Sequence, residues 1–350
     1  MGVKIFASAF GNGGVRRFLD LSRAPTAKEA AALAKRKDRL IDAGKSRSEA
    51  MNEMRRLADT GGLEEIRLRS EFIRLAVPPT RTDYSDRSVP PSEDRPPSTR
   101  LMSPNGIALK FLLIALFEAQ SRTKPGQKPA GNSTPLIGRS TSDISWSRYI
   151  ASGARPSGKG KHRMSPANKK LRTLRETIDR LEKEDLVDCP NRSAPKDKQE
   201  GFLLMREDAV PGRTGDLYKV PSEDDDYFTV PTHLFTNGWI YVLEDSELAL
   251  LLIATRMRHK YGDTGHRITA STRLLNYGLS RDSFYAHQML DNLKLLQVLP
   301  DEARWLDGTR VENYSARGAK PHSLRFLPEG LQKDGPTALL DEIEYQLGRI

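Results

Sequence analysis

The chain has 350 residues, of which 37% are hydrophobic and 29% are charged, enough for about two globular domains with tails. Its 56 Lys and Arg exceed its 46 Asp and Glu, a surplus of +10 that favours an anionic partner, nucleic acid before a membrane surface. We find no apolar run near the ~18 residues of a membrane-spanning helix, and the single cysteine, Cys189, excludes an internal disulfide and favours the reducing cytoplasm.

The first part of the chain is predicted to be a helical appendage, residues 1–76. Thr26 is a suitable N-cap for a polar helix that stops near Gly44, and further helices are predicted over Ser46–Leu57 and Leu63–Ala76. These helices have few large apolar residues, so we expect them to be peripheral. Residues 77–103 contain six prolines among polar residues, which predicts an extended or disordered linker.

A first folded unit is predicted over residues 104–220. Ile107–Ala119 is a run of apolar residues without helix breakers, typical of a buried helix. A short strand at Pro135–Gly138 and a helix from about Ser140 to Ile150 follow, the latter with Ile144, Trp146, Tyr149 and Ile150 facing inward. Ser165 and Pro166 then mark the start of a third helix, whose inward stripe is Leu171, Leu174, Ile178 and Leu181. Leu186–Val187 and Phe202–Met205 complete the unit as strands of a hairpin.

The strongest positive charge lies just before and within this third helix. From Arg148 to Arg175 there are nine Lys or Arg and no Asp or Glu, whereas a solvated surface normally mixes both signs. Acidic residues collect at the carboxyl end of the helix, the reverse of what the helix dipole favours. We therefore predict a DNA-binding surface, although a basic loop without a partner is the alternative. Its candidate residues are Arg148, Lys159, Lys161, Arg163, Lys169, Lys170, Arg172, Thr173 and Arg175.

A second folded unit is predicted over residues 226–330, after the acidic run that begins at Glu223. Strands are expected at Tyr227–Val230 and Trp239–Leu243, then a buried helix from Ser246 to His259. The segment Ser271–Leu296 has a short helix, a glycine turn and a longer helix, the pattern of a helix-turn-helix. The outward residues of the longer helix and the basic residues of the following loop are candidate DNA contacts: Arg281, Phe284, His287, Gln288, Arg310, Arg317 and Lys320.

The fold class predicted from this order is mainly α with small β wings, in two winged-helix domains, with a last helix over residues 331–350. Residues 221–350 have a net charge of −5, so the second unit is expected to be a weaker DNA contact or partly a protein-contact module.

No motif indicates catalysis or a cofactor. Gly44-Lys45-Ser46 resembles the end of a phosphate-binding loop, but Arg39 stands where that motif needs its first glycine. The six histidines are scattered, without the close pairs that metal sites use. We expect neither metal nor cofactor, and a protein that is not an enzyme.

The layout resembles plasmid replication initiators of the tandem winged-helix class. The resemblance covers about residues 101–330 and depends on IALKFLLIALFEAQSR, PLIGRSTSDISWSRYI, NKKLRTLRETIDRLEKEDLVD and YFTVPTHLFTNG. It implies sequence-specific binding to double-stranded DNA repeats at an origin, recruitment of a host helicase or its loader, and dimers that repress their own promoter. A winged-helix transcriptional regulator is the alternative, because its contacts with DNA would be the same.

Overall fold

The computed structural model describes residues 24–80, 89–103, 106–138, 140, 143–153, 165–191, 193–194, 198–208, 215–299, 301, 303, 311–318 and 320–350. Its helices are α1 (Ala27–Asp42), α2 (Gly44–Gly61), α3 (Pro97–Arg100), α4 (Ala108–Ser121), α5 (Trp146–Tyr149), α6 (Pro166–Lys183), α7 (His233–Thr236), α8 (Trp239–Val242), α9 (Asp245–Tyr261), α10 (Arg281–Phe284), α11 (Ala286–Asn292), α12 (Tyr314–Arg317) and α13 (Gly335–Leu347). The strands are β1 (Glu65–Arg69), β2 (Val187–Asp188), β3 (Leu203–Leu204), β4 (Tyr227–Pro231), β5 (His266–Arg267), β6 (Leu296–Leu299) and β7 (Ser323–Phe326).

The fold is mainly α with small antiparallel sheets, as predicted. Among the described residues, no helix is both long and apolar enough to cross a membrane.

The first predicted unit is organised around α4, which is buried at every residue from Phe111 to Gln120. It packs against α2, α6 and β1. α6 begins as predicted, because the Ser165 hydroxyl accepts the backbone N–H of Asn168 at 3.2 Å and Pro166 occupies the first helical position. β2 and β3 form the expected antiparallel hairpin after it.

Two local predictions in this unit are wrong. Residues 135–138 form no strand. α5 covers only Trp146–Tyr149, and the described residues Ser140 and Asp143 before it form bends. Ile144 is exposed rather than inward. Trp146 and Tyr149 are buried as expected, since they stack edge to face at 5.5 Å between ring centroids.

The second unit has a three-stranded sheet in the order β5-β7-β6, so the last strand in sequence lies in the middle. α9 precedes the sheet, is buried from Glu247 to Met257, and packs against β4 and β7. Between β5 and β6 the chain forms a π-helical turn at Thr272–Asn276 and then α10 and α11. The single helix predicted from Ser280 to Leu296 is therefore wrong: it breaks at Tyr285, and Leu296 begins a strand.

Trp239–Val242 is a helix, whereas a strand was predicted. Gly238 precedes it with φ +78°, and a Cβ there would lie 2.6 Å from the Met51 sulfur, so only glycine fits this turn. The Trp239 indole then donates to the Leu331 carbonyl at 3.0 Å, which fixes α8 against the segment before α13.

The amino-terminal helices do not fit the expectation of a peripheral appendage. Leu63–Ala76 is not a helix: Glu65–Arg69 forms β1, which pairs along its length with β4. Met54 of α2 is fully buried in the core. The buried Arg36 guanidinium of α1 binds Glu247 of α9 through both carboxylate oxygens, at 2.7 and 2.6 Å.

Residues 89–103 do not fit the prediction of an extended or disordered linker. Pro97–Arg100 forms the buried helix α3, and Leu101 is fully buried. Proline is tolerated there because it stands in the first turn of a helix, where its missing N–H has no partner to lose.

Candidate nucleic-acid interface

The amino end of α6 projects into solvent. Residues 165–168 are exposed, as are Arg172 and Thr173 one turn later, whereas Leu174, Ile178 and Leu181 are fully buried on the opposite face. The predicted inward stripe of this helix is thus confirmed, with Leu171 half-buried at its start. An exposed first turn leaves its backbone N–H groups and the positive end of the helix dipole facing outward, which suits an anion.

The exposed cation of this face is balanced only by a weak pair. Arg172 donates to Glu176 at 2.8 Å, and both side chains are more than half exposed. Exposed ion pairs contribute about 0–1 kcal/mol, so the guanidinium can exchange this carboxylate for a stronger anion at little loss. Lys169 and Arg175 flank it on the helix and are half-buried.

Two other predicted residues are held by α2. Lys170 donates to the Ser46 hydroxyl at 2.9 Å, and burial lowers the pKa of its ammonium. Arg148 pairs with Glu53 at 2.8 Å. Sequence reasoning missed α2 here, because its residues are about 100 positions away and only the fold brings them together.

The carboxyl end of α6, by contrast, is tied to the protein. Lys198 pairs with Asp179 at 3.1 Å and with Glu182 at 2.7 Å, and Arg180 donates to the Arg100 carbonyl at 2.8 Å. The amino end is therefore the part of α6 that is open to a partner.

The predicted contacts of the second unit are partly wrong. His287 was expected to face outward, but it is 5% exposed and its Nδ1 lies 2.6 Å from the Phe284 carbonyl. Burial lowers the pKa of His287. Phe284 is half-buried against the core rather than exposed. The buried face of this segment therefore includes His287 as well as Leu290 and Leu293, which were predicted to be inward.

Other predicted residues of this unit do lie at the surface. Arg281, Arg317 and Lys320 are exposed, and Gln288 is half-buried. Lys159, Lys161, Arg163 and Arg310 lie outside the described residues.

A groove of about 310 Å³ separates α11 from α1, which sequence reasoning did not place together. Its acidic lining residues are Glu29, Glu244, Glu247 and Asp282. Gln288 also lines the groove, as does Arg36, which neutralises Glu247. The other three carboxylates leave this side of α11 acidic, which disfavours a nucleic-acid backbone.

Among the described residues, no group of three or more His, Cys, Asp or Glu side chains could hold a metal ion. Comparisons of the chain with protein-family models, curated proteins and solved structures found no match.

Proposed function

We propose that the protein binds double-stranded DNA in a sequence-specific manner through two winged-helix units and initiates plasmid replication. The observation that carries this proposal is the order of elements from α9 to β7: a helix, a strand, a helical turn, the short helices α10 and α11, a strand, the short helix α12 and a strand, with the last strand central in the sheet. This order supports the proposal of a winged helix, in which the helix before the hairpin would meet DNA. Residues 108–204 repeat the order in a shorter form, from α4 through α5 and α6 to the β2–β3 hairpin.

In the first unit, α6 is the proposed recognition helix. Its amino end is exposed, has no acidic residue in the first turn, and presents Lys169, Arg172 and Thr173 one turn into the helix. The proposed pose places this end in the major groove, with the cations on phosphates and Thr173 near base edges.

In the second unit, DNA contact is proposed at the segment after β6 instead of along α11. Arg317 and Lys320 are exposed there, in the position of a wing. The acidic groove beside α11 would repel the phosphates of a duplex, so this unit would contribute to orientation and affinity more than to base recognition.

Salt dependence of DNA binding tests the α6 surface. We expect Lys169→Ala, Arg172→Ala and Arg175→Ala together to reduce the slope of log K against log salt by about 2–3 units, since each lost phosphate contact removes about 0.9. The matched control removes the same charge from α1, by Lys28→Ala, Lys35→Ala and Arg39→Ala, which are all exposed. Fluorescence anisotropy with plasmid-origin fragments and random duplexes, at several salt concentrations, measures both proteins. Equal slopes for the two triple variants would refute the assignment of α6.

Complementation distinguishes an initiator from a transcriptional regulator. We expect the chain, supplied from a second plasmid, to support replication of an origin plasmid that lacks its own initiator gene. The α6 triple variant should fail and the α1 triple variant should succeed. DNA binding without replication would favour the regulator.

A further inference from the structure

Arg256 is a buried cation whose charge has no visible counter-ion. It lies in α9 and is 3% exposed. Its Nε and Nη1 atoms have no hydrogen-bond partner, and no ion pair within 4.0 Å joins it to an acidic group of the described residues. Burial of an unpaired guanidinium is strongly unfavourable, so natural proteins normally supply an anion.

Arg256 lines a pocket of about 210 Å³ together with Arg74, which follows β1 in the chain. Arg74 is half-buried, and its side chain likewise has no ion pair among the described residues. Tyr277 lies in the electrostatic field of both guanidinium groups. Burial raises the pKa of Tyr277, so its hydroxyl is neutral and cannot serve as the counter-ion.

Three of the four carboxylates that line this pocket have their own partners. These pairs are Asp208 with Arg206 at 2.6 Å, Asp225 with Arg69 at 3.1 Å, and Asp226 with Ser70 at 3.0 Å and Lys260 at 3.3 Å. Glu71, also in the lining, is exposed. Arg256 and Arg74 thus line one pocket, and neither forms an ion pair with a carboxylate of the described residues.

We infer that this pocket binds a phosphoryl group of a small ligand. Arginine stays charged when buried, and its planar donors match phosphate oxygens. The depth of Arg256 excludes the backbone of a duplex, so the source is inorganic phosphate or the phosphate of a mononucleotide. Binding would join the segment after β1 to α9, and it does not depend on the proposed DNA-binding function.

Thermal unfolding of the full chain tests the site, with sodium phosphate compared with sodium chloride at equal ionic strength. At phosphate about 100-fold above Kd, we expect Tm to rise by about 4 °C. Calorimetric titration with inorganic phosphate and with AMP then identifies the source: binding of phosphate alone indicates the free ion, and binding of both indicates a phosphate monoester.

Variants locate the binding. Arg256→Met should abolish the phosphate-dependent rise in Tm, and Arg74→Gln should weaken phosphate binding at least tenfold. Arg258→Gln, on the same helix but paired with Asp263 at 2.8 Å, should behave as wild type. If Arg256→Met does not fold, the phosphate-dependent rise in Tm is compared between Arg74→Gln and Arg258→Gln, and a smaller rise in Arg74→Gln supports the site. No phosphate-dependent rise in the wild-type protein, or an equal rise in Arg74→Gln, would overturn the inference and leave the guanidinium hydrated by water.

Discussion

Removal of Arg69 should destabilise the protein far more than neutralisation of its partner, Glu207. Glu207 is fully buried and accepts two hydrogen bonds from Arg69, from its backbone N–H at 2.9 Å and from Nη1 at 2.8 Å. The Arg69 side chain is 4% exposed but has two further partners, Asp225 at 3.1 Å and the Lys219 carbonyl at 2.9 Å. Arg69 thus joins β1 to the segment that contains Glu207 and to the segment from Lys219 to Asp225. The Arg69–Glu207 pair therefore links this strand to the first unit.

The two substitutions leave different groups uncompensated. Arg69→Met leaves the Glu207 carboxylate without a cation in a fully buried site, and we expect a loss of about 3–5 kcal/mol in the free energy of unfolding. In Glu207→Gln, the guanidinium keeps Asp225, and the amide can still accept the backbone N–H, so we expect about 1–3 kcal/mol.

The pH dependence gives a second criterion. Burial raises the pKa of Glu207 above that of an unfolded glutamate, and loss of Arg69 would raise it further. The native variant then binds a proton more readily than the unfolded chain, so its stability increases as pH falls. The loss caused by Arg69→Met should therefore be smaller at pH 5 than at pH 7.5.

Urea unfolding followed by circular dichroism at both pH values measures these free energies. Glu223→Gln is the matched control, because Glu223 also pairs with an arginine of β1, Arg67, at 2.8 Å but is 77% exposed. We expect no measurable change in stability, because an exposed ion pair is screened by solvent. A loss below about 1 kcal/mol for Arg69→Met, or one that grows on acidification, would refute the reasoning.

Two further predictions follow from buried titratable groups. Because burial lowers the pKa of His287, the unfolded chain binds a proton at this histidine at a higher pH than the native protein does. As pH falls below about 6.5, the free energy of unfolding should therefore decrease more in wild type than in His287→Gln, by up to ~1.4 kcal/mol per pH unit. Urea unfolding measures this, and the same pH dependence in both proteins would contradict the prediction. Cys189 is fully buried. Its burial and, to a smaller extent, the negative charge of the nearby Glu182 raise the pKa of its thiol to about 11. Native protein should therefore react with iodoacetamide at pH 8 at least ~100-fold more slowly than protein in urea, and equal rates would show that the thiol is accessible.

Elements with local signals could be predicted from the sequence. α6 has a capping serine, a proline at its first position and a regular apolar stripe, and α4 is an unbroken apolar run, so each specifies its own structure. The exposed amino end of α6 followed from the same stripe, since the face opposite buried leucines must be outside.

Elements that depend on distant partners could not be predicted. β1 has Ile66 and Leu68 buried on one face, a two-residue alternation too short to identify without its partner β4. Trp239–Val242 has the composition of a strand, but Gly238 and the Leu331 carbonyl select a helix. These choices are made by tertiary contacts that override local propensity.

The candidate site shows the same division. Arg172 and Thr173 lie where the helical stripe predicted. His287 does not: it is buried on the same face of α11 as Leu290, which was predicted to be inward. Arg256 gave no sequence signal at all, since one arginine in an apolar helix is informative only when its surroundings are known.

The contacts of α1 with α9 and α13 also constrain when the protein can fold during translation. Arg36 and Glu247 are 211 residues apart in the chain, and α1 packs along α13, where Lys37 pairs with Glu344 at 2.8 Å. On the ribosome, α1 is synthesised long before α9 and α13, so it cannot bury the face that packs against them until those helices have also been made. Closure over such a span is slow compared with local helix formation, so we expect nascent chains to expose α1 to chaperones until α13 has been synthesised.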